Sequence, residues 1–121
     1  MKLISRVLVS AVIILILDFI YISANKSLFE TQIVEIQRVF LNLKIWPAIF
    51  CYIFLIFGLN YFILRSHRSI FDAFLFGVVI YGVYDMTNLA TFKKWRWNLA
   101  IMDTLWGGVL MALTTAIIYS L

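Results

Sequence analysis

Residues 70–92 read IFDAFLFGVVIYGVYDMTNLATF. Wound as an α-helix rising about 1.5 Å per residue, this stretch reaches about 35 Å, enough to cross a hydrocarbon core of about 30 Å. In lipid a helix satisfies every backbone amide and carbonyl within the segment, so helix is the form expected. The connections on either side are short, Arg65 to Ser69 before it and Lys93 to Asn98 after it. They make the apolar runs at Ile45–Leu64 and Leu99–Tyr119 its antiparallel neighbours. A fourth run, Leu3–Ala24, precedes them. The chain therefore reads as an all-α membrane protein, a four-transmembrane-helix bundle forming one integral membrane domain over residues 1–121, with spans at about 3–24, 45–64, 70–92 and 99–119.

Composition agrees. The chain has 121 residues, of which 64% are hydrophobic and 13% charged, far from the balance of a soluble domain of this length. The net charge of +4 comes from short clusters, which suits anionic lipid headgroups and excludes nucleic acid as a partner. Most of the four Trp lie at span ends, where amphipathic rings are favoured. The first span has no small-residue cleavage pattern after it and carries Asp18, so it reads as retained rather than as a signal peptide. Cys51 is alone, which rules out an intrachain disulfide, and is expected as a small buried apolar residue.

The connection from Asn25 to Lys44 has a pattern of its own. Phe29, Ile33, Ile36 and Phe40 recur at helical spacing while Glu30, Glu35, Arg38 and Asn42 fall largely elsewhere, so an interfacial amphipathic helix is expected between spans one and two. Ser27 with Glu30 three residues on is the spacing expected of a capping box at its start. Trp46 marks the boundary, and Pro47 suits the first turn of span two. Basic residues divide six to four between the two faces, which leaves the membrane orientation open.

Within these spans the exceptions are three aspartates. A carboxylate near the middle of a transmembrane helix costs about 2.5 to 3.5 kcal/mol on insertion scales. Connections one and three lie on the same side of a four-span bundle. Asp18 and Asp85 each fall about 5 Å past the midplane toward that side, and Asp103 lies about 10 Å from the midplane in the same leaflet. Their neighbours are polar too. Tyr81, Asp85 and Asn88 follow helical spacing on span three, flanked by Tyr84, Thr87 and Thr91. Tyr21 lies one turn from Asp18, and Trp106 with Gly107 one turn from Asp103. Gly108 and Ala112 give the small-residue spacing that lets helices approach closely.

Carboxylates gathered in a low-dielectric site have three chemical uses. They can hold a divalent cation, with Asp18, Asp85 and Asp103 as ligands. They can act as general acid and base on a bound group. They can also grip a cationic or hydroxylated ligand, or a lipid headgroup. The plainer reading is that they pair with Asn88, the tyrosines, or Lys93 and Arg96 to hold helix register. The run Lys93, Lys94, Trp95, Arg96, Trp97 lies just outside, as an interfacial anchor or as contacts to headgroup phosphates. Arg65, His67 and Arg68 are on the opposite side, so His67 cannot join the aspartates and reads as a surface residue in a short loop. Asn60 and Gly58 also lie toward that side, as packing residues. The chain has no HExxH, no TVGYG filter, no Cys and His zinc set and no glycine-rich phosphate loop.

The order Tyr84, Asp85, Met86, Thr87, Asn88, Leu89, Ala90, Thr91, then a Trp at 95 or 97, then Asp103 and Trp106–Gly107, resembles the hallmark of the domain-of-unknown-function 2177 family of small membrane proteins. The likeness extends to Asp18 with Tyr21 and to Trp46, Pro47 and Ala48, and covers essentially the whole chain. It implies a four-span fold with these residues as its distinctive positions, and no activity. The expectation is an acidic, polar pocket that binds a small molecule or lipid headgroup and acts on it or simply holds it. Its candidate residues are Asp18, Tyr21, Tyr81, Tyr84, Asp85, Asn88, Thr91, Asp103 and Trp106. The alternatives are proton or small-cation transport by a homo-oligomer, and an accessory role in a membrane complex.

Overall fold

The computed structural model describes residues 2–25, 45–91 and 96–121. Among these every regular element is helical: α1 over Leu3–Ala24, α2 over Ile45–Leu59, α3 over Ile70–Thr91 and α4 over Trp97–Ser120. Helix α2 continues into a π-helical turn over Asn60–Leu64, and with it all four are long and apolar enough to cross a membrane. Helix α3 runs to Thr91, the last described residue before residue 96, and α4 begins two residues before the expected 99 and ends one past the expected 119. The expected amphipathic segment, its Ser27–Glu30 box, and Lys93, Lys94 and Trp95 lie outside the described residues.

The ends of the helices explain where they stop. At the end of α1 the Asn25 side-chain amide donates to the Tyr21 carbonyl at 2.9 Å, covering one acceptor left over by the helix. After the π turn, His67 takes a positive φ of 51° and the chain reverses, with the Arg68 amide donating to the Ile63 carbonyl at 2.9 Å. A non-glycine residue in that conformation is uncommon. The His67 ring stacks on Tyr119 with centroids 4.0 Å apart, which helps hold the turn. Helix α3 then starts at Ser69, whose hydroxyl accepts the Asp72 amide at 3.0 Å. Such a cap contributes about 1 kcal/mol. Ser69→Ala should lower unfolding stability in detergent by about that amount; an unchanged midpoint would mean that the neighbouring helices alone set this end.

The bundle is not evenly packed. Helices α3 and α4 form the tightest pair, and α1 contacts both α4 and α2. Spans two and three, expected as close neighbours from their short connection, meet through side chains: the Phe76 ring covers Gly58 and lies 6.3 Å from the Phe62 ring. On α4 the backbone at Gly107 and Gly108 meets Gly77 of α3, so Gly108 of the expected small-residue pair does lie at a close helix contact. Ile14, Leu59, Leu110 and Met111 are fully buried and form the centre of the core. Outside it, Phe19, Phe54, Val83 and Leu105 are each more than half exposed, the surface a bilayer would cover. Cys51 is on this outer surface of α2 and not buried as expected; a thiol is apolar enough to face lipid.

Candidate functional site

The four helices bring their polar side chains together at the end of the bundle where α1 and α3 finish and α2 and α4 begin. The three aspartates come from different helices, Asp18 from α1, Asp85 from α3 and Asp103 from α4, and are 6%, 0% and 7% exposed. Each is packed between helices rather than turned outward.

Asp18 is fully engaged. Tyr52 on α2 donates its hydroxyl to Oδ2, and the Trp106 indole on α4 donates to Oδ1 at 3.0 Å. One carboxylate thus ties three helices. The Tyr21 ring, one turn on, stacks against Trp106 with centroids 4.6 Å apart and planes within 2°, and its hydroxyl donates to Asp103 Oδ1 at 3.3 Å. Tyr21 is close enough to interact with all three carboxylates, which makes it the hub of the cluster.

Asp85 is held differently. Thr104 on α4 donates to Oδ2 at 3.2 Å, and the Asp85 and Asp103 carboxyls are near enough to interact with each other. Asp85 Oδ1 is buried and no neutral or basic side chain donates to it among the described residues; the other group in hydrogen-bond reach of Asp85 is the Asp103 carboxyl. Among the described residues the one ion pair is Arg68–Asp72, so none of the three aspartates has a basic partner there. An unpaired carboxylate oxygen away from water is the costliest kind of acceptor to leave open.

The remaining expected residues divide. Tyr81 packs over Gly107 and lies within electrostatic reach of Asp18 and Asp103. Asn88 is buried, and Tyr84 interacts with it from a more exposed position. Thr91 is not part of the cluster: it is exposed and donates to the Thr87 carbonyl of its own helix at 2.8 Å. Arg96 is exposed at the start of α4. Among the described residues no group of three or more His, Cys, Asp or Glu side chains is arranged to hold a metal ion, so the three-aspartate cation set is not formed. Both oxygens of Asp18 instead accept from neutral donors on other helices.

Two members were missed from the sequence, Tyr52 and Thr104. Depth alone would have found Tyr52, because it lies seven residues into α2, about 10 Å, on the side where the aspartates gather. Thr104 follows Asp103 directly, and nothing in helical spacing says that it turns toward α3.

Helices of this length and polarity, with apolar side chains outward and carboxylates inward, define a multi-pass integral membrane protein built on a four-helix bundle. Residues 3–120 match the family described as Predicted membrane protein (DUF2177), and the chain belongs to it. No curated protein and no solved structure matches.

Proposed function

We propose that the aspartate cluster is an intramembrane site that binds a small molecule or lipid headgroup through hydrogen-bond donors, an amine or hydroxyls. The observation that carries this reading is Asp85 Oδ1, fully buried with no neutral or basic side chain donating to it and only the acidic Asp103 carboxyl beside Asp85, while every other oxygen of Asp18 and Asp85 has a neutral donor. A ligand that donates there would remove a desolvation penalty of about 1 to 3 kcal/mol. The stacked Tyr21 and Trp106 rings supply an adjoining aromatic face, and such a face also favours a cationic group. Asp85 and Asp103 side by side are the pair that acid–base chemistry on a bound headgroup would use.

A path for protons or cations through one chain is less favoured by the same geometry. Between the aspartates and the next polar cluster, at Ser10 and Asn60, lies the apolar core of Ile14, Leu59, Leu110 and Met111. From Asp18 to Ser10 is about 12 Å along α1. That layer supports a site open toward one leaflet.

The test is thermal unfolding of the purified protein with lipids, divalent cations and amphiphilic amines, in parallel on wild type and Asp85→Asn. A ligand at a hundredfold excess over its Kd stabilises by about 2.7 kcal/mol, so at least one amine or hydroxylated amphiphile should raise the wild-type midpoint by about 5 °C or more. Asp85→Asn should lose most of that shift while keeping its own unliganded midpoint. Equal shifts in both proteins, or none with any probe, would sink the proposal. Charge movement across liposomes would point instead to transport.

A further inference from the structure

At the other end of the bundle a second polar group is built around the π turn. Asn60, 5% exposed, uses its whole side chain: the amide donates to Ser10 Oγ at 2.9 Å and to the Ile56 carbonyl at 2.8 Å. Its carbonyl oxygen accepts from Arg6 Nε at 3.1 Å. The bond to Nε fixes the Arg6 guanidinium and leaves its terminal amino groups without a protein partner among the described residues. Arg65, at the end of the π turn, lies over the Tyr61 ring with its guanidinium carbon 4.1 Å from the centroid. Neither arginine faces a carboxylate among the described residues, whose one ion pair is Arg68–Asp72.

Both arginines line the same groove between α1 and α2, a space of about 510 Å³. Ala11, Ile53 and Phe57 are among its apolar walls, with Arg6, Asn60 and Arg65 as its polar rim. From Ile53 to Arg65 it follows α2 for about 18 Å, close to the depth of one leaflet's hydrocarbon. The rim is about 18 Å along α1 from Asp18, so this site is independent of the aspartate cluster.

We infer that this groove is a binding site for an anionic phospholipid, with one acyl chain between α1 and α2 and the phosphate between Arg6 and Arg65. Charge and shape both select that occupant. A zwitterionic lipid brings a cation toward two guanidiniums, and a free phosphate leaves the apolar groove unfilled. Arginine's planar fork matches phosphate oxygens. Because Asn60 and the Tyr61 ring already hold the two side chains, little ordering is left for the lipid to bring about. The π turn is the device that makes this possible: π turns of this kind recur at functional sites, and this one begins at the residue that holds Arg6.

The experiment is native mass spectrometry of the full chain in neutral detergent, titrated with phosphatidylglycerol, phosphatidylcholine or glycerol phosphate. Each basic side chain near an anionic headgroup contributes a factor of about five, so phosphatidylglycerol should bind about thirtyfold more tightly than phosphatidylcholine. Substituting both R6Q and R65Q should remove that preference, while K2Q and R68Q, on exposed basic residues at the same end, should leave most of it. R6K keeps the charge and should retain part of the preference, which separates loss of the site from loss of the fold. A11F fills the groove with both arginines intact and should weaken both lipids. The inference is overturned if wild type does not distinguish the two lipids, if K2Q or R68Q costs as much as R6Q, if A11F has no effect, or if glycerol phosphate competes as well as the whole lipid.

Discussion

Gly77→Val should be the most damaging single change in this protein, destabilising the bundle by about 3 kcal/mol or more. A Cβ at position 77 would run into the backbone carbonyl of Gly107 and would come within 2.9 Å of the Gly108 Cα. Backbone in a packed helix cannot swing aside, so relief requires α3 and α4 to separate along their tightest contact. Two other glycines meet softer neighbours. At Gly108 a Cβ would lie 2.7 Å from Phe74 and Val78 side-chain atoms, and those atoms can give. At Gly58 it would meet the tip of the Phe76 ring at 2.8 Å, which can rotate away. Alanine in place of glycine also gains about 1 kcal/mol of helix propensity. Chemical unfolding in mixed micelles should therefore rank Gly77→Val worst, Gly108→Ala intermediate, and Gly58→Ala close to neutral or stabilising. A Gly77→Val protein as stable as wild type would show that α3 and α4 do not pack through this contact.

Asp18→Ala should be the second largest loss, and for a different reason from any effect at Asp85. Removing the Asp18 carboxylate strands the Tyr52 hydroxyl and the Trp106 indole N–H together, both on part-buried side chains between helices. Interhelical hydrogen bonds in membrane proteins contribute about 0.6 kcal/mol on average and up to about 1.7. Two of them to one carboxylate, with the cavity added, amount to about 2 to 3 kcal/mol. Asp85→Asn leaves the Thr104 bond available, and its new amide can donate to Asp103, so little stability should be lost. Unfolding midpoints for the two variants, measured beside ligand-induced shifts, assign Asp18 to holding the bundle and Asp85 to the ligand. Equal stability losses would undo that division.

Legibility from sequence differed by residue. Asp18, Asp85 and Asp103 were placed in one leaflet by counting 1.5 Å per residue from span ends, and the structure brings their side chains to the same end of the bundle. Helical spacing puts Thr91 on the flank of Asp85. Spacing cannot tell that its hydroxyl bonds to its own helix at Thr87, a local bond always open to threonine. Among the described residues no three acidic side chains form a metal-ligand group either. Proximity in depth does not reveal that Tyr52 and Trp106 arrive from two other helices to occupy Asp18. At the opposite end Asn60 was read as packing, and it is packed. That it also holds Arg6 depends on the π turn, which has no signature in hydropathy.

The order and number of spans, and the end of the bundle at which the three carboxylates gather, follow from the sequence by itself. These depend only on apolar length and on the requirement that lipid-buried backbone be helical. Only the tertiary structure decided that α3 pairs most closely with α4, that Asp18 accepts from donors on two other helices while Asp85 Oδ1 receives no neutral donor, and that Arg6 and Arg65 flank one groove. Each of these depends on how the helices are rotated about their own axes. A helix repeats every 3.6 residues whichever face meets its neighbour, so rotation is set by Gly77 against Gly107 and by Tyr52 and Trp106 reaching Asp18. Those contacts are interlocking shapes between separate helices, and no count along one chain contains them.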